Sequence, residues 1–149
     1  VGQLQQMSAT LGADCPFFIT SEPSYAEGIG ERLAPVALSL SDYFIVVVKP
    51  PAPVSTKEAF SRITPQKPAK NCRDIVMQPL STWRESLVND FEQSIFALYP
   101  EVARIKESLY ESGAVYAAMS GSGSSVFGLY KERPTLPDFP GCYTTVLKF

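Results

Sequence analysis

Two periods of apolar residues run along this chain, and the changes between them divide it into elements. Leu4, Met7 and Leu11 recur at helical spacing, which predicts an amphipathic helix capped at Gly12. Pro16 disfavours helical backbone at Cys15, so Asp14 is expected on a turn leading into an apolar strand, Phe17-Phe18-Ile19. Ser24 to Gly28 suits a short strand, Gly28 and Gly30 mark a turn, and extended structure resumes from Glu31 to Val36. Tyr43 to Val48 is apolar throughout, the pattern of a strand that is central in its sheet and covered on both faces. Pro50, Pro51 and Pro53 end it. Ser55-Thr56-Lys57-Glu58 has the spacing of a capping box, so a helix is expected through Ala59 and Phe60.

Thr64 to Asn71 is polar and proline-rich and predicts a mobile surface loop. Helical spacing returns at Leu80, Trp83, Leu87 and Val88, then at Phe91, Ile95 and Leu98, with Asn89 or Asp90 as the cap. Pro100 suits the first position of a further helix carrying Val102, Ile105 and Leu109, and Gly113 ends it. Val115 to Met119 and Ser125 to Tyr130 read as strands flanking Ser120-Gly121-Ser122-Gly123-Ser124. Lys131 to Gly141 holds three prolines and predicts a loop rather than a helix, and Tyr143 to Phe149 predicts a last strand. The order is α+β: helices on one face of a mostly antiparallel sheet, close to a ferredoxin-like arrangement, with no internal repeat.

Composition narrows the function classes. A chain of 149 residues can bury one ordinary core. Its net charge of −2 gives no basic surface, so nucleic acid is not an expected partner. No apolar run approaches the roughly 20 residues of a membrane helix, and no signal peptide is visible, so a cytoplasmic location is expected. The three cysteines include no CxxC pair and there is no histidine, which argues against zinc sites, disulfide frameworks and Ser–His or Cys–His catalysis. Residue 1 is valine, and the opening reads as the middle of a helix without a cap, so truncation is expected.

Four segments could carry chemistry. The serine–glycine run from Ser120 to Ser125 lets backbone N–H groups converge on an anion, with Ser120, Ser122 and Ser124 adding hydroxyl donors; a plain turn between strands needs the same residues. It is not a Walker A loop, because no Gly-Lys-Ser/Thr follows. Asp14, at the end of an element, could be held rigidly and partly desolvated as a general base, or be an ordinary solvated carboxylate. Glu27-Gly28-Ile29-Gly30-Glu31 places two carboxylates around glycines, which a turn explains without a metal. Phe60 sits on a helix where most aromatics are core residues. Cys15, Cys72 and Cys142 read as structural.

Together these segments resemble the GHMP superfamily of small-molecule kinases. The resemblance is carried by Leu11-Gly12-Ala13-Asp14-Cys15-Pro16-Phe17-Phe18 and Ala26-Glu27-Gly28-Ile29-Gly30-Glu31. Val47-Val48-Lys49-Pro50, Val54-Ser55-Thr56-Lys57-Glu58-Ala59-Phe60 and Asn89-Asp90-Phe91-Glu92 add to it, as does Met119 to Gly128. It covers nearly the whole chain and is strongest to members that phosphorylate the 2-hydroxyl of 4-diphosphocytidyl-2-C-methyl-D-erythritol in non-mevalonate isoprenoid synthesis. It implies ATP as cofactor and Mg2+ with ligands not identifiable in this chain. It implies as partner a small molecule bearing a cytidine diphosphate group, and no membrane.

By the same resemblance Asp14 falls on the catalytic aspartate and Ser120, Gly121, Ser122, Gly123 and Ser124 on the phosphate loop. Phe60 falls on a ring that stacks on cytosine, and Thr56 faces the same site. Two departures matter. The catalytic lysine and the glycine-rich ATP loop lie upstream in relatives, and Lys131 to Gly141 is proline-rich where relatives carry a helix. Residues 1–35 are therefore expected to be a remnant of an N-terminal kinase domain, the rest of which is a missing partner, and residues 36–149 a GHMP kinase C-terminal domain. The isolated chain is expected to be inactive. The alternatives are another GHMP kinase of the homoserine or mevalonate type, and a non-catalytic α+β binding module.

Overall fold

The computed structural model describes residues 2–66 and 68–149. In chain order its elements are α1 (Gly2–Ala9), α2 (Cys15–Thr20), β1 (Ser24–Glu27), β2 (Arg32–Pro35), β3 (Phe44–Lys49), α3 (Thr56–Ser61) and α4 (Cys72–Val76). A 3-10 turn (Leu80–Thr82) follows, then α5 (Trp83–Ser86), α6 (Phe91–Leu98), α7 (Pro100–Glu111), β4 (Tyr116–Met119), β5 (Val126–Tyr130) and β6 (Tyr143–Lys148). They form two compact units, one ending at Ser39 and including Lys70–Met77, the other holding Leu40–Ala69 and Gln78–Phe149.

In the first unit α1 forms as its spacing predicts, but Leu4, Met7 and Leu11 are exposed and Ser8 is the buried side chain. The helix ends before Gly12, with the amides of Leu11 and Gly12 returning to the Ser8 carbonyl. Phe17-Phe18-Ile19 is helical, not a strand. Pro16 lies in the first turn of α2, where its missing N–H is one that a helix leaves unpaired anyway, so the proline starts a helix rather than preventing one. β1 and β2 pair antiparallel from Ser24↔Pro35 to Glu27↔Arg32, closed by the turn at Gly28 and Gly30. The short α4 was not expected; Asn71 caps it by accepting from the Arg73 N–H at 2.8 Å.

The second unit is one antiparallel sheet with strand order β4-β5-β3-β6. β5 is antiparallel to both β3 and β4, so those two run parallel with β5 inserted between them, a split βαβ unit. The crossover from β3 to β4 carries α3 and α5 to α7, whereas β5 reaches β6 through Lys131–Gly141, which holds no helix. The arrangement is ferredoxin-like with its final helix replaced by a loop. Prolines at 134, 137 and 140 account for this, since each removes an amide donor and clashes with a preceding turn.

β3 is central, as its apolar pattern predicts, with Val46 opposite both Gly128 and Val146. Val46 and Val48 are fully buried in a cluster with Ile95, Val102, Ile105 and Leu109 from α6 and α7. Each such side chain contributes about 1.5–3 kcal/mol on burial. α7 begins at Pro100 and ends in a Schellman motif: the Gly113 N–H reaches Tyr110 O, the Ala114 N–H reaches Leu109 O, and Gly113 has φ 98°. The helix expected through Leu87 and Val88 stops at Ser86. Leu87 turns extended, and its carbonyl accepts from the Tyr116 hydroxyl at 2.9 Å. No helix among the described residues is long and apolar enough to cross a membrane. Lys67, within the expected 64–71 loop, lies outside the described residues; the rest of that segment holds no helix or strand.

Candidate functional site

The serine–glycine segment joins the ends of β4 and β5. The Gly123 N–H closes a turn on Ser120 O at 3.0 Å, and the Ser120 N–H pairs with Ser125 O at 2.8 Å. Gly121 and Gly123 have φ of 53° and 93°, which β-carbon-bearing residues rarely adopt. They serve different ends. A Cβ at Gly121 would meet nothing within 4 Å, so that side of the loop is open, whereas one at Gly123 would come 2.8 Å from Met119 Sδ. The N–H groups of Gly121 and Ser122 enter no hydrogen bond among the described residues. The serines divide in the same way. Ser124 is buried, its hydroxyl donating to Ala52 O at 2.9 Å and accepting from Lys49 Nζ at 2.7 Å. The Ser122 hydroxyl instead lies 3.2 Å from Thr56 Oγ1 in an exposed contact.

Thr56 is placed by the helix start that the sequence predicts. The Ser55 hydroxyl accepts from the Glu58 N–H at 3.4 Å and begins α3. Phe60, one turn on, is 64 % exposed, so it is not a core residue. Its ring stands edge-on to Phe91 with centroids 4.9 Å apart. The second unit thus gathers Thr56, Phe91 and Ser122, from three distant stretches, beside an open turn and an uncovered aromatic ring.

Asn89, expected only as a helix cap, and Glu92, for which no individual role was expected, hold this arrangement in place. Asn89 accepts the Phe91 N–H on its Oδ1 and donates from Nδ2 to both Met119 O and Gly121 O, each at 2.8 Å. Glu92 accepts the Met119 N–H at 2.8 Å and Lys106 Nζ at 2.6 Å. Its place before an apolar helical run marks Asn89 as a capping candidate, but nothing in the sequence signals its bonds to Met119 O and Gly121 O.

Asp14 belongs to the first unit, at the N-terminus of α2, with its side chain exposed and making no capping bond. A Cβ on Gly30 would approach Asp14 Oδ1 to 3.0 Å, so the β1–β2 turn leaves space for the carboxylate. Glu31 accepts the Ile29 N–H at 2.7 Å, and its own N–H and that of Ile29 hold its carboxyl below the usual glutamate range. Among the described residues no cluster of three or more His, Cys, Asp and Glu is placed to hold a metal ion.

Comparison with known proteins places this geometry in a family. Residues 72–138 match the family described as GHMP kinases C terminal. The chain is 53 % identical over 133 residues to 4-diphosphocytidyl-2-C-methyl-D-erythritol kinase of Parabacteroides distasonis, covering 89 % of this chain and 49 % of that protein. It is 50 % identical over 150 residues to the Bacteroides fragilis protein of the same name, covering 98 % and 55 %. A crystal structure of 4-(cytidine 5'-diphospho)-2C-methyl-D-erythritol kinase superposes with a TM-score of 0.72 at 32 % identity, over 85 % of this chain and 47 % of that one. The chain spans about half the length of the curated relatives it matches. In fold and in sequence it belongs to the GHMP kinases and carries their C-terminal domain.

Proposed function

We propose that this chain is the C-terminal half of a kinase that transfers the γ-phosphoryl group of ATP to the 2-hydroxyl of 4-diphosphocytidyl-2-C-methyl-D-erythritol. The observation that carries it is the 3.2 Å contact between Thr56 and Ser122, because it joins the helix bearing the uncovered Phe60 ring to the glycine loop. A substrate with a flat base and a phosphate chain needs both kinds of surface. Residues 1–35 are assigned to the tail of the N-terminal catalytic domain and residues 36–149 to the C-terminal domain.

The loop's chemistry suits an anion. The free N–H groups of Gly121 and Ser122 and the Ser122 hydroxyl are donors beside an open face. ATP supplies the activated phosphoryl group, and Mg2+ offsets its charge; the loop donors would hold phosphate oxygens. Ser120 and Gly123 shape the turn, and Ser124 anchors it from beneath rather than donating to the ligand. Phe60 stacks on the cytosine and Thr56 orients the substrate beside it. Asp14 takes the proton of the attacking 2-hydroxyl from its exposed place at the start of α2.

The test is a coupled assay on the full-length protein containing this chain, with the cytidine diphosphate substrate and with homoserine. Turnover of the first and not the second is expected. Asp14→Asn should lower kcat about 10²–10⁴-fold, the usual contribution of a general base. The isolated 149-residue chain should show no turnover, because about half of the length of its relatives is outside it. Full activity in Asp14→Asn, or preference for homoserine, would overturn the assignment.

A further inference from the structure

β4 is an edge strand, so one side of it has no neighbouring strand to satisfy its backbone groups. In this register Tyr116, Ala118 and Ser120 face β5, whereas Ala117 and Met119 present N–H and C=O to the open edge. Side chains from the helices close it. The Tyr110 hydroxyl donates to Ala117 O at 3.1 Å, Glu92 accepts the Met119 N–H, and Asn89 donates to Met119 O.

Asn89 does more than finish the edge. Its second Nδ2 proton reaches past the strand to Gly121 O, inside the loop, and its Oδ1 is fixed by the Phe91 N–H at the start of α6. Every hydrogen-bonding direction of the carboxamide but one acceptor lone pair is in use. Met119 is thus held by both its backbone groups, and its sulfur lies beneath Gly123, where no Cβ would fit.

We infer that Asn89 is a positioning residue that sets the glycine loop for phosphate binding by bridging Met119 O and Gly121 O from the start of α6. The bond to Gly121 O fixes the plane of the Gly121–Ser122 peptide, and hence the direction of the Ser122 N–H. The benefit to the nucleotide rests on the kinase activity proposed above; the clamp on the loop does not.

The test uses Asn89→Asp in the full-length protein. Aspartate keeps the acceptor for the Phe91 N–H and remains a good helix cap, but offers no donor to the two carbonyls. Two measurements are made against wild type. Amide hydrogen exchange of the peptide spanning Ser120 to Val126 should quicken about tenfold, the weight of one to two net hydrogen bonds, with exchange in α7 unchanged. Steady-state kinetics should show KM for ATP raised about tenfold or more, with KM for the alcohol substrate within twofold, since the lost bonds go to Met119 O and Gly121 O and not to Thr56 or Phe60. Faster loop exchange with an unchanged ATP KM would overturn the role in phosphate binding. Unchanged loop exchange would overturn the clamp itself, as would equal changes in α7 and the loop, which would mark general destabilisation. A wild-type protein that phosphorylates neither alcohol would sink the kinase assignment and the nucleotide role with it, and the exchange measurement would still decide the clamp.

Discussion

Replacing Glu92 should weaken the second unit by an amount that depends on which of its two bonds survives. The carboxylate holds the Met119 N–H on one oxygen and the Lys106 ammonium on the other, with side-chain exposures of 11 % for Glu92 and 23 % for Lys106. Glu92→Ala removes both bonds. A buried amide left unpaired costs about 1–3 kcal/mol. The lysine is exposed enough to turn to water, so the ion pair adds only about 1 kcal/mol, nearer the surface value than that of a fully buried pair. Alanine's better helix propensity offsets a few tenths of a kcal/mol. The sum is about 3 kcal/mol. Glu92→Gln keeps a carbonyl oxygen for the Met119 N–H and loses the charge, so about 1 kcal/mol is expected, and Lys106→Met should cost about the same.

Urea unfolding followed by tryptophan fluorescence measures this cleanly. The chain has one tryptophan, Trp83, which is buried and edge-on to Tyr116 of β4, so its emission reports the strand that Glu92 holds. With a urea dependence of about 2 kcal/mol per molar, the alanine variant should lower the midpoint by about 1.5 M and the glutamine variant by about 0.5 M. Added salt should shrink the cost of Lys106→Met and leave most of the cost of Glu92→Ala, because a hydrogen bond to a buried amide is little screened. A glutamine variant as damaged as the alanine variant would refute the reasoning, since it would mean that the charge, and not the bond to Met119, carries the stability.

Three further outcomes are expected. Gly113→Ala should destabilise the same unit by about 1–2 kcal/mol in that fluorescence assay: a Cβ there would touch nothing, so the cost is the φ of 98° alone. Ser55→Ala should cost about 0.5–1 kcal/mol, the low end for a helix cap because its bond to Glu58 is long, and hydrogen exchange should show α3 loosening locally. Glu31 should titrate below the usual glutamate range by carboxyl NMR, since its own N–H and that of Ile29 favour the charged form. Its stabilisation of the hairpin is then present above the unfolded-state value and is lost as pH falls through the lowered one. Glu31→Gln should remove that acid-side loss.

Elements set by local chemistry were legible in the sequence, and those set by partners were not. The β3 strand, the Ser55 cap, the Pro100 start and Gly113 end of α7, and the strands around the glycine loop each rest on a residue whose effect is confined to its own turn or pleat. The misses share a cause. Phe17-Phe18-Ile19 is too short an apolar run for periodicity to decide between strand and helix, and the proline before it is compatible with either. Leu87 has the spacing to continue α5, but its carbonyl is claimed by a tyrosine far along the chain. Apolar spacing in α1 gave the right element while saying nothing of which face the first unit buries.

The site follows the same division, and this explains which of its residues stood out. Glycine and serine in a run signal an unusual backbone wherever they occur, so the loop was visible without its surroundings. Asn89 and Glu92 are ordinary residues for the start of a helix, where a side chain accepting from a nearby N–H is expected. What sets them apart is that β4 ends at the sheet edge with Met119 facing outwards, and that pairing spans 30 residues for Asn89 and 27 for Glu92. A loop that must present free N–H groups to an anion cannot use those groups to hold itself. Its order has to come from carbonyls and from the strand beneath it, through donors that lie elsewhere in the chain. Asn89 bonding the Gly121 carbonyl while the Gly121 and Ser122 amides stay free is that separation in this molecule.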